Sequence, residues 1–276
     1  MTQHWLITGV SSGLGKALAL EVASRGHKVS GTLRKEADIK TFEALSPNHF
    51  RGYLADVRDF SALERAVDES SQRFGSIDVL VNNAGYGLVG AVEELSNEEV
   101  RDQMEVNFFG ALRLTQLVLP GMRVRRKGHI FNISSIAGMN GSPGLGLYNA
   151  SKFALEGMSE GLMLETRHLG LQVTIVEPGP FRTHWAGSGL VHAKINIPDY
   201  AEVTGLLRSR LAAVDQQQPG SPEKAAKLIC DVALQKDAPL RLLLGKPAYQ
   251  VIEAKIKRLT SEYAKWKEKG ERTDFE

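Results

Sequence analysis

The chain has 276 residues, 42% hydrophobic and 24% charged, which is ordinary for a soluble globular protein and enough for one large α/β domain or two small ones. A net charge of +2 supplies no long-range field for nucleic acid or acidic membranes, and no apolar stretch approaches the roughly 20 residues of a membrane span. A single cysteine, Cys230, excludes an intrachain disulfide and a cysteine-based metal cluster; the start runs from Met1 straight into a strand with no signal-peptide pattern, so the expected compartment is the cytoplasm.

His4 to Thr8 is an apolar run of strand length, and Gly13 to Arg25 is helical, with Leu14, Leu18 and Val22 at spacing four. Lys28 to Leu33 and Phe50 to Asp56 read as the next two strands. After Ser61, an N-cap residue, the apolar-leaning set Leu63, Ala66, Val67, Ser70 and Phe74 lies on one helical face. Ile77 to Asn82 is a fourth strand, apolar enough to be buried on both sides. A helix follows from about Ser96 to Val118 and is expected to stop near Pro120-Gly121, leaving the basic run Arg123 to Lys127 as a solvated connection. His129 to Ile133 is strand five, Tyr148 to Leu169 a long helix, and Gln172 to Val176 strand six, ended by Pro178-Gly179. A helix from Pro222 to Gln235 and a short strand from Leu240 to Leu244 complete the count.

This alternation predicts an α/β fold: one domain over residues 1–276, a doubly wound parallel sheet of about seven strands with helices on both faces. Two segments break the rhythm. Residues 181–220 form an insertion of the size used for lids and binding loops. Residues 248–276 form a charged helical extension carrying Val251, Ile256, Leu259, Tyr263 and Trp266, which either packs on the domain or makes a subunit contact.

The first strand runs into Thr8-Gly9-Val10-Ser11-Ser12-Gly13-Leu14-Gly15 and then a helix, an arrangement in which backbone amides and a helix N-terminus can hold a pyrophosphate. The spacing G-x-x-x-G-x-G differs from the G-x-G-x-x-G fingerprint. A P-loop would need glycine at position 10 and Ser or Thr at 17, which are Val10 and Ala17. Gly9 to Gly13 also fits the G-x-S-x-G hydrolase elbow, but on the first strand and with no His-Gly-Gly-Gly oxyanion segment in the chain.

Tyr148 and Lys152 are spaced i, i+4 on a helix, so the ammonium lies one turn along the same face as the phenol. A cation there favours the phenolate and suits Tyr148 to acid–base work, with the Ser135 hydroxyl thirteen residues upstream available to a substrate oxygen.

Four further strings fall at strand or helix positions: Asn82-Asn83-Ala84-Gly85, Asn107 in Val106-Asn107-Phe108-Phe109-Gly110, Ile133-Ser134-Ser135, and Pro178-Gly179 followed by Thr183. With the glycine turn and the Tyr148/Lys152 pair, they resemble the classical short-chain dehydrogenase/reductase family, continuously over about residues 4–185 and more loosely to 245. The resemblance implies a Rossmann-type sheet and a nicotinamide cofactor. It implies that Gly9, Ser11, Ser12, Gly13, Leu14 and Gly15 line the pyrophosphate. Asp56 and Val57 would meet the adenine, and Asn83, Ala84 and Gly85 the adenosine side. Tyr148 would be the proton donor or acceptor, Lys152 would lower its pKa and bind the nicotinamide ribose, and Ser135 would orient the substrate oxygen. Asn107 would hold a relay water near Lys152, while Pro178, Gly179 and Thr183 would position the nicotinamide ring. Family spacing selects Ser135 over Ser134, which strand alternation turns the other way.

In NAD-preferring members an acidic residue ends strand two; here Leu33 holds that position and Arg34 follows, so NADP(H) is expected over NAD(H). The expected activity is an NADP(H)-dependent interconversion of a carbonyl and an alcohol on a small apolar substrate, with no metal. A catalytically silent dinucleotide-binding regulator is the alternative from another class, although such relatives usually lose the Tyr or Lys kept here. Among enzymes, a carrier-bound ketoreductase and an NAD-dependent alcohol, steroid-like or retinoid-like dehydrogenase stay open. The pocket is expected to be walled by Met139, Leu145, His184 and Trp185, and the family implies a homodimer or homotetramer.

Overall fold

The computed structural model describes residues 2–187 and 189–275, so one residue of the 181–220 segment and the two chain ends lie outside the described residues. Seven strands form one parallel sheet: β1 (His4–Thr8), β2 (Lys28–Leu33), β3 (Phe50–Leu54), β4 (Val79–Asn82), β6 (Gly128–Ile133), β7 (Leu171–Pro178) and β9 (Arg241–Leu244), in the order β3-β2-β1-β4-β6-β7-β9. The order reverses between β1 and β4, which opens a crevice at their carboxyl ends where doubly wound sheets take ligands.

Strand alternation divides the core in two. Trp5, Ile7, Val79, Val81, Phe131 and Ile133 face helices α1 (Gly13–Ser24) and α8 (Pro222–Ala233), packing on Leu18, Val22 and Ile229. Leu6, Leu80 and Ile130 point the other way, toward Leu63 of α3 (Phe60–Phe74), Leu114 of α5 (Gly110–Arg125) and Leu162 of α6 (Gly146–Thr166). The central strands are covered on both faces and read as near-continuous apolar runs for that reason.

Several elements differ from expectation. Helix α2 (Glu36–Leu45) carries only one fully buried side chain, Phe42, and so shows little apolar periodicity. The helix expected over 96–118 is α4 (Asn97–Met104), a π-helical turn at Glu105–Phe109, and α5, which continues past Pro120 to Arg125. Pro120 and Gln116, whose carbonyl loses its N–H partner, are both exposed, so that carbonyl stays open to solvent. Arg126 in the left-handed region ends the helix.

A two-stranded parallel ribbon of β5 (Gly87–Val89) and β8 (Leu190–His192) ties the insertion to the sheet's carboxyl edge. Glu99 Oε1 and Glu94 Oε1 accept the backbone N–H groups of Lys194 and Ile197, at 3.0 and 2.9 Å, and fasten the insertion further. The insertion ends with α7 (Leu206–Val214). Helix α9 (Lys246–Glu271) leaves from the carboxyl end of β9; its first turns are partly covered, while residues 260–271 are exposed on every side, with Trp266 at 65%.

His129 lies in the core, its ring 3.9 Å from that of Phe131, its Nε2 2.9 Å from Thr174 Oγ1 and its Nδ1 without a partner among the described residues. Burial pushes it down to about 3. An unfolded histidine takes its proton near pH 6.5, so the folded state is favoured fully above that value and loses this contribution as pH falls toward 3. Stability should therefore drop by up to about 1.4 kcal/mol per pH unit from this residue alone below pH 6. Thermal melts of the wild type and His129→Gln between pH 8 and 4.5 check this; an equal slope in both would contradict it.

Candidate active site

Gly9 and Gly13 adopt positive φ, which folds the turn after β1 back over the sheet edge. Gly15 lets the turn close: a Cβ there would lie 2.4 Å from the Gly9 carbonyl oxygen and 2.5 Å from Asn83 Nδ2. Asn83 braces the turn from the neighbouring strand, donating to the carbonyls of Thr8 at 2.8 Å and Gly9 at 3.2 Å. The Thr8 hydroxyl accepts from the amides of Asn83 and Ala84 at 2.9 and 2.8 Å, a brace that the sequence reading missed. Ser11 and Ser12 are exposed, the N-cap Ser12 makes no side-chain capping bond, and the first turn of α1 holds no acid. That leaves a 12-residue helix with its N-terminal dipole open to an anion, beside Leu14. Thr183 packs over this turn, with its Cβ 3.5 Å from where a Gly13 Cβ would lie.

Arg34 is exposed at the end of β2 and makes no ion pair or side-chain hydrogen bond among the described residues. Asp56 follows β3 and is tied to Arg58. Its carboxylate accepts from the Arg58 amide at 2.9 Å and from the Arg58 guanidinium at 3.1 and 2.8 Å, which holds it below the usual carboxylate range. It is a turn former two residues ahead of its own acceptor contact, and Val57 behind it is buried.

Tyr148, Lys152, Ser135 and Asn107 converge at the carboxyl ends of β4 and β6. The Tyr148 phenol is buried beside the Ser135 hydroxyl, and its ring lies 5.2 Å from Trp185. Lys152 Nζ donates to the Ile133 carbonyl at 2.7 Å and lies 6.0 Å from the centre of the Tyr148 ring. Asn107, in the π-helical turn, donates to the Tyr86 carbonyl and to Ser151 Oγ, both at 3.0 Å, and accepts the Tyr86 amide at 3.1 Å. Gly85 sits between the two: a Cβ on it would be 3.1 Å from Asn107 Oδ1 and 3.6 Å from Lys152 Nζ. Pro178 closes the site from β7, its carbonyl 3.5 Å from Ser135 Oγ, and Gly179 is tied to β9 through the Leu244 carbonyl at 2.9 Å. Ser134 points away from this group, toward Gly138 and Glu156.

The electrostatics differ from the expected lowering of the phenol. Burial outweighs the opposing effect of the neighbouring Ser135 hydroxyl and pushes Tyr148 up to about 12. Burial also pushes Lys152 down to about 8, opposed by the Glu156 carboxylate. The ammonium spends a proton on Ile133 rather than on the phenol, and so does less to favour the phenolate.

Around the phenol lies an apolar shell of Val89, Ala137 and Leu145 with Trp185, Leu190, Leu207 and Leu211 from the insertion. Leu145 and Trp185 are therefore where the sequence reading expected them. Met139 instead faces Arg241, 3.2 Å away, and His184 is exposed. Asn149, which the reading assigned no role, fixes the loop over the site by donating to the carbonyls of Ala137 and Asn140 at 2.9 and 3.0 Å.

Residues 3–189 match the family described as short chain dehydrogenase, and the chain belongs to it. The chain is 39% identical over 254 residues, 91% of each protein, to a 3-ketodihydrosphingosine reductase of Bacteroides thetaiotaomicron. A crystal structure of a short-chain dehydrogenase from Streptomyces avermitilis superposes with a TM-score of 0.92 at 39% identity, covering 100% of both chains. The structure of an actinorhodin polyketide ketoreductase with NADPH gives a TM-score of 0.76 at 29% identity, over 88% of this chain and 95% of that one. The chain is an oxidoreductase of this family, with a fold that binds a nicotinamide dinucleotide.

Proposed function

We propose that the chain is an NADPH-dependent carbonyl reductase for ketones or aldehydes with an apolar body, and that it runs in reverse as an alcohol dehydrogenase. The observation that carries this reading is the buried phenol of Tyr148, set beside Ser135 and roofed by apolar side chains, with Lys152 one helical turn on. A reduced nicotinamide dinucleotide, when bound, supplies the hydride. The open amides of Ser11 to Gly15 would hold its diphosphate, and Asp56, Val57 and Asn83 to Gly85 would face its adenosine side. Lys152, Pro178, Gly179 and Thr183 would hold the nicotinamide end.

Tyr148 donates its proton to the carbonyl oxygen. A phenol pushed up to about 12 is neutral throughout the physiological range, which is the form that reduction requires. Ser135 Oγ already accepts from the Ala137 amide at 3.1 Å, so its hydroxyl proton, now on a long 3.5 Å contact to Pro178, is available to the same substrate oxygen. Asn107 and the π-helical turn fix the floor beneath Lys152. The shell of Val89, Leu145, Trp185, Leu190 and Leu207 favours an apolar chain or ring next to the carbonyl. The name of the Bacteroides relative, a 3-ketodihydrosphingosine reductase, supports a ketone as the reacting group.

A panel of ketones and aldehydes of increasing chain length, followed by NADPH absorbance, tests the reading. Long-chain substrates are expected to exceed acetone-sized ones by at least about tenfold in kcat/KM, since each buried methylene contributes about 0.8 kcal/mol. Absence of turnover with every member of the panel would sink it.

The cofactor preference rests on Arg34, whose unpaired guanidinium suits a 2′-phosphate. Arg34→Glu is expected to lower the NADPH-to-NADH ratio of kcat/KM by roughly 100-fold, because a charge-assisted bond is lost and a repulsion gained. An unchanged ratio would remove the assignment.

A further inference from the structure

Helix α9 is fixed at its base and free at its end. Arg241, the first residue of β9, bonds Glu156 and Glu160 of α6 and Glu177 of β7, which holds the strand that launches the helix. Ala248, in the first turn of α9, is buried, with its Cβ 3.3 Å from where a Gly179 Cβ would lie. Three turns later the helix has left the domain, and residues 260–271 run for roughly 18 Å with every side in water. A helical end of that length gains too little from its own hydrogen bonds to be stable alone in water. The exposed ion pairs of Lys267 with Glu271 and of Glu268 with Arg272 add little.

One face of the helix is nonetheless apolar. Tyr249, Ile252, Ile256, Leu259, Tyr263 and Trp266 follow one another at spacings of three, four, three, four and three, the a/d repeat of paired helices. They fall within an arc of about 100°. Ile252 and Leu259 are half-buried, while Tyr249, Ile256, Tyr263 and Trp266 are 52–70% exposed. Those four offer roughly 500 Å² on each copy, so two copies laid together bury about 1,000 Å² from the seam alone, the size at which an interface becomes specific.

The flanks of the seam identify what covers it. Lys255, Glu262 and Lys269 run along one side and Glu253, Thr260 and Lys267 along the other, so both sides mix signs. An anionic bilayer selects a helix with basic flanks, whereas mixed flanks suit another helix of the same kind. With two copies antiparallel, Ile256 meets the partner's Leu259, Ile252 the partner's Tyr263 and Tyr249 the partner's Trp266. In the same register Lys255 stands opposite the partner's Glu262, and the two-fold symmetry repeats the pair. Neither Lys255 nor Glu262 has an ion-pair partner within its own chain among the described residues. A parallel pair would set Lys255 beside the partner's Thr260 and crowd both domains at one end. The antiparallel pair lays each free end along the other copy's anchored base.

We propose that α9 is a dimerisation helix: two copies of this chain join through an antiparallel pair of α9 helices, closed by the seam from Tyr249 to Trp266 and held in register by Lys255 against Glu262. The pairing is independent of the reductase reading.

Sedimentation velocity of the full chain from about 1 to 100 μM tests it, and the wild type is expected to pair within that range. Trp266→Ser, at a position that makes no contact with the core, should weaken pairing by at least about tenfold, since each dimer loses two buried indoles. Lys255→Glu sets carboxylates against each other twice, and Glu262→Lys does the same with ammonium groups, so each should weaken pairing by at least about tenfold. Mixed in equal amounts, these two charge variants should pair with each other to within about threefold of the wild type, because every contact is again of opposite sign. A wild type that stays monomeric throughout, or a Trp266→Ser or Lys255→Glu protein that assembles like the wild type, would overturn the proposal. So would a mixture that fails to pair although both charge variants are folded by circular dichroism. A monomer that sediments with phosphatidylglycerol vesicles, and is released from them by Trp266→Ser, would overturn it too and assign the seam to a membrane surface.

Discussion

Tyr148→Phe is expected to lower kcat/KM for carbonyl reduction by about a thousandfold or more while the protein stays folded and binds NADPH as before. The size follows from removing the proton donor, since a positioned general acid contributes about 10²–10⁴-fold. The fold should survive because only the hydroxyl is lost: the ring keeps its place against Trp185 and the shell of Val89, Ala137 and Leu145. Cofactor affinity, read by NADPH fluorescence, should change by less than about threefold, because the phosphate cradle lies at the other end of the crevice. Turnover within about tenfold of wild type in this variant would end the proposed role of Tyr148.

Gly15→Val is expected to have the largest effect on the fold and the cofactor site together. The added Cβ would sit 2.4 Å from the Gly9 carbonyl and 2.5 Å from Asn83 Nδ2, separations that no side-chain rotation relieves because one partner is backbone. Either the turn moves off the start of α1, or Asn83 gives up its bonds to Thr8 and Gly9. Overpacking of this kind destabilises by about 1–3 kcal/mol, and lost hydrogen bonds add about 1 kcal/mol each. Urea denaturation should show that loss, and NADPH binding should weaken by at least about 100-fold as the amides of Ser11 to Gly15 lose their common direction. Gly26→Ala is the comparison: Gly26 has the positive φ that Gly15 lacks and open space around it, so it should be mildly destabilising and leave binding intact. Equal effects at the two glycines would show that the close approach at Gly15 does not govern the turn.

Much of this architecture was legible from residue order. Central strands such as Val79–Asn82 are buried on both faces and announce themselves as apolar runs, and their alternation with helices implies a parallel sheet. Tyr148, Lys152 and Ser135 were legible because their spacing along the chain is close to their spacing in space. Helix α2 was not, since Phe42 alone is fully buried along it. The break at Asn107 was not either: a π-helical turn keeps helical residues on both sides, and Gly110 after it continues as helix. The Glu156–Glu177–Arg241 cluster was least visible. Arg241 is 85 positions from Glu156 and 64 from Glu177, and three charged residues so far apart meet only because β7 and β9 pair side by side. The partial signal was Glu156 itself, four residues beyond a lysine already singled out.

The tryptophans sit in three unlike surroundings, and this gives the protein a built-in set of optical reporters. Trp5 is in the core at 1% exposure, Trp185 lies against the Tyr148 ring, and Trp266 stands on the solvated end of α9. Emission from Trp5 should be blue and shielded from acrylamide until the sheet unfolds. Trp266 should be red-shifted and quenched freely, and any contact that covers the end of α9 would shield it. If the nicotinamide binds beside Tyr148 as proposed, Trp185 would pass its excitation to the reduced ring, and loading of the site would be readable as energy transfer. Single replacements that leave one tryptophan at a time would separate sheet unfolding, pocket occupancy and tail contacts in the same solution, without an added label.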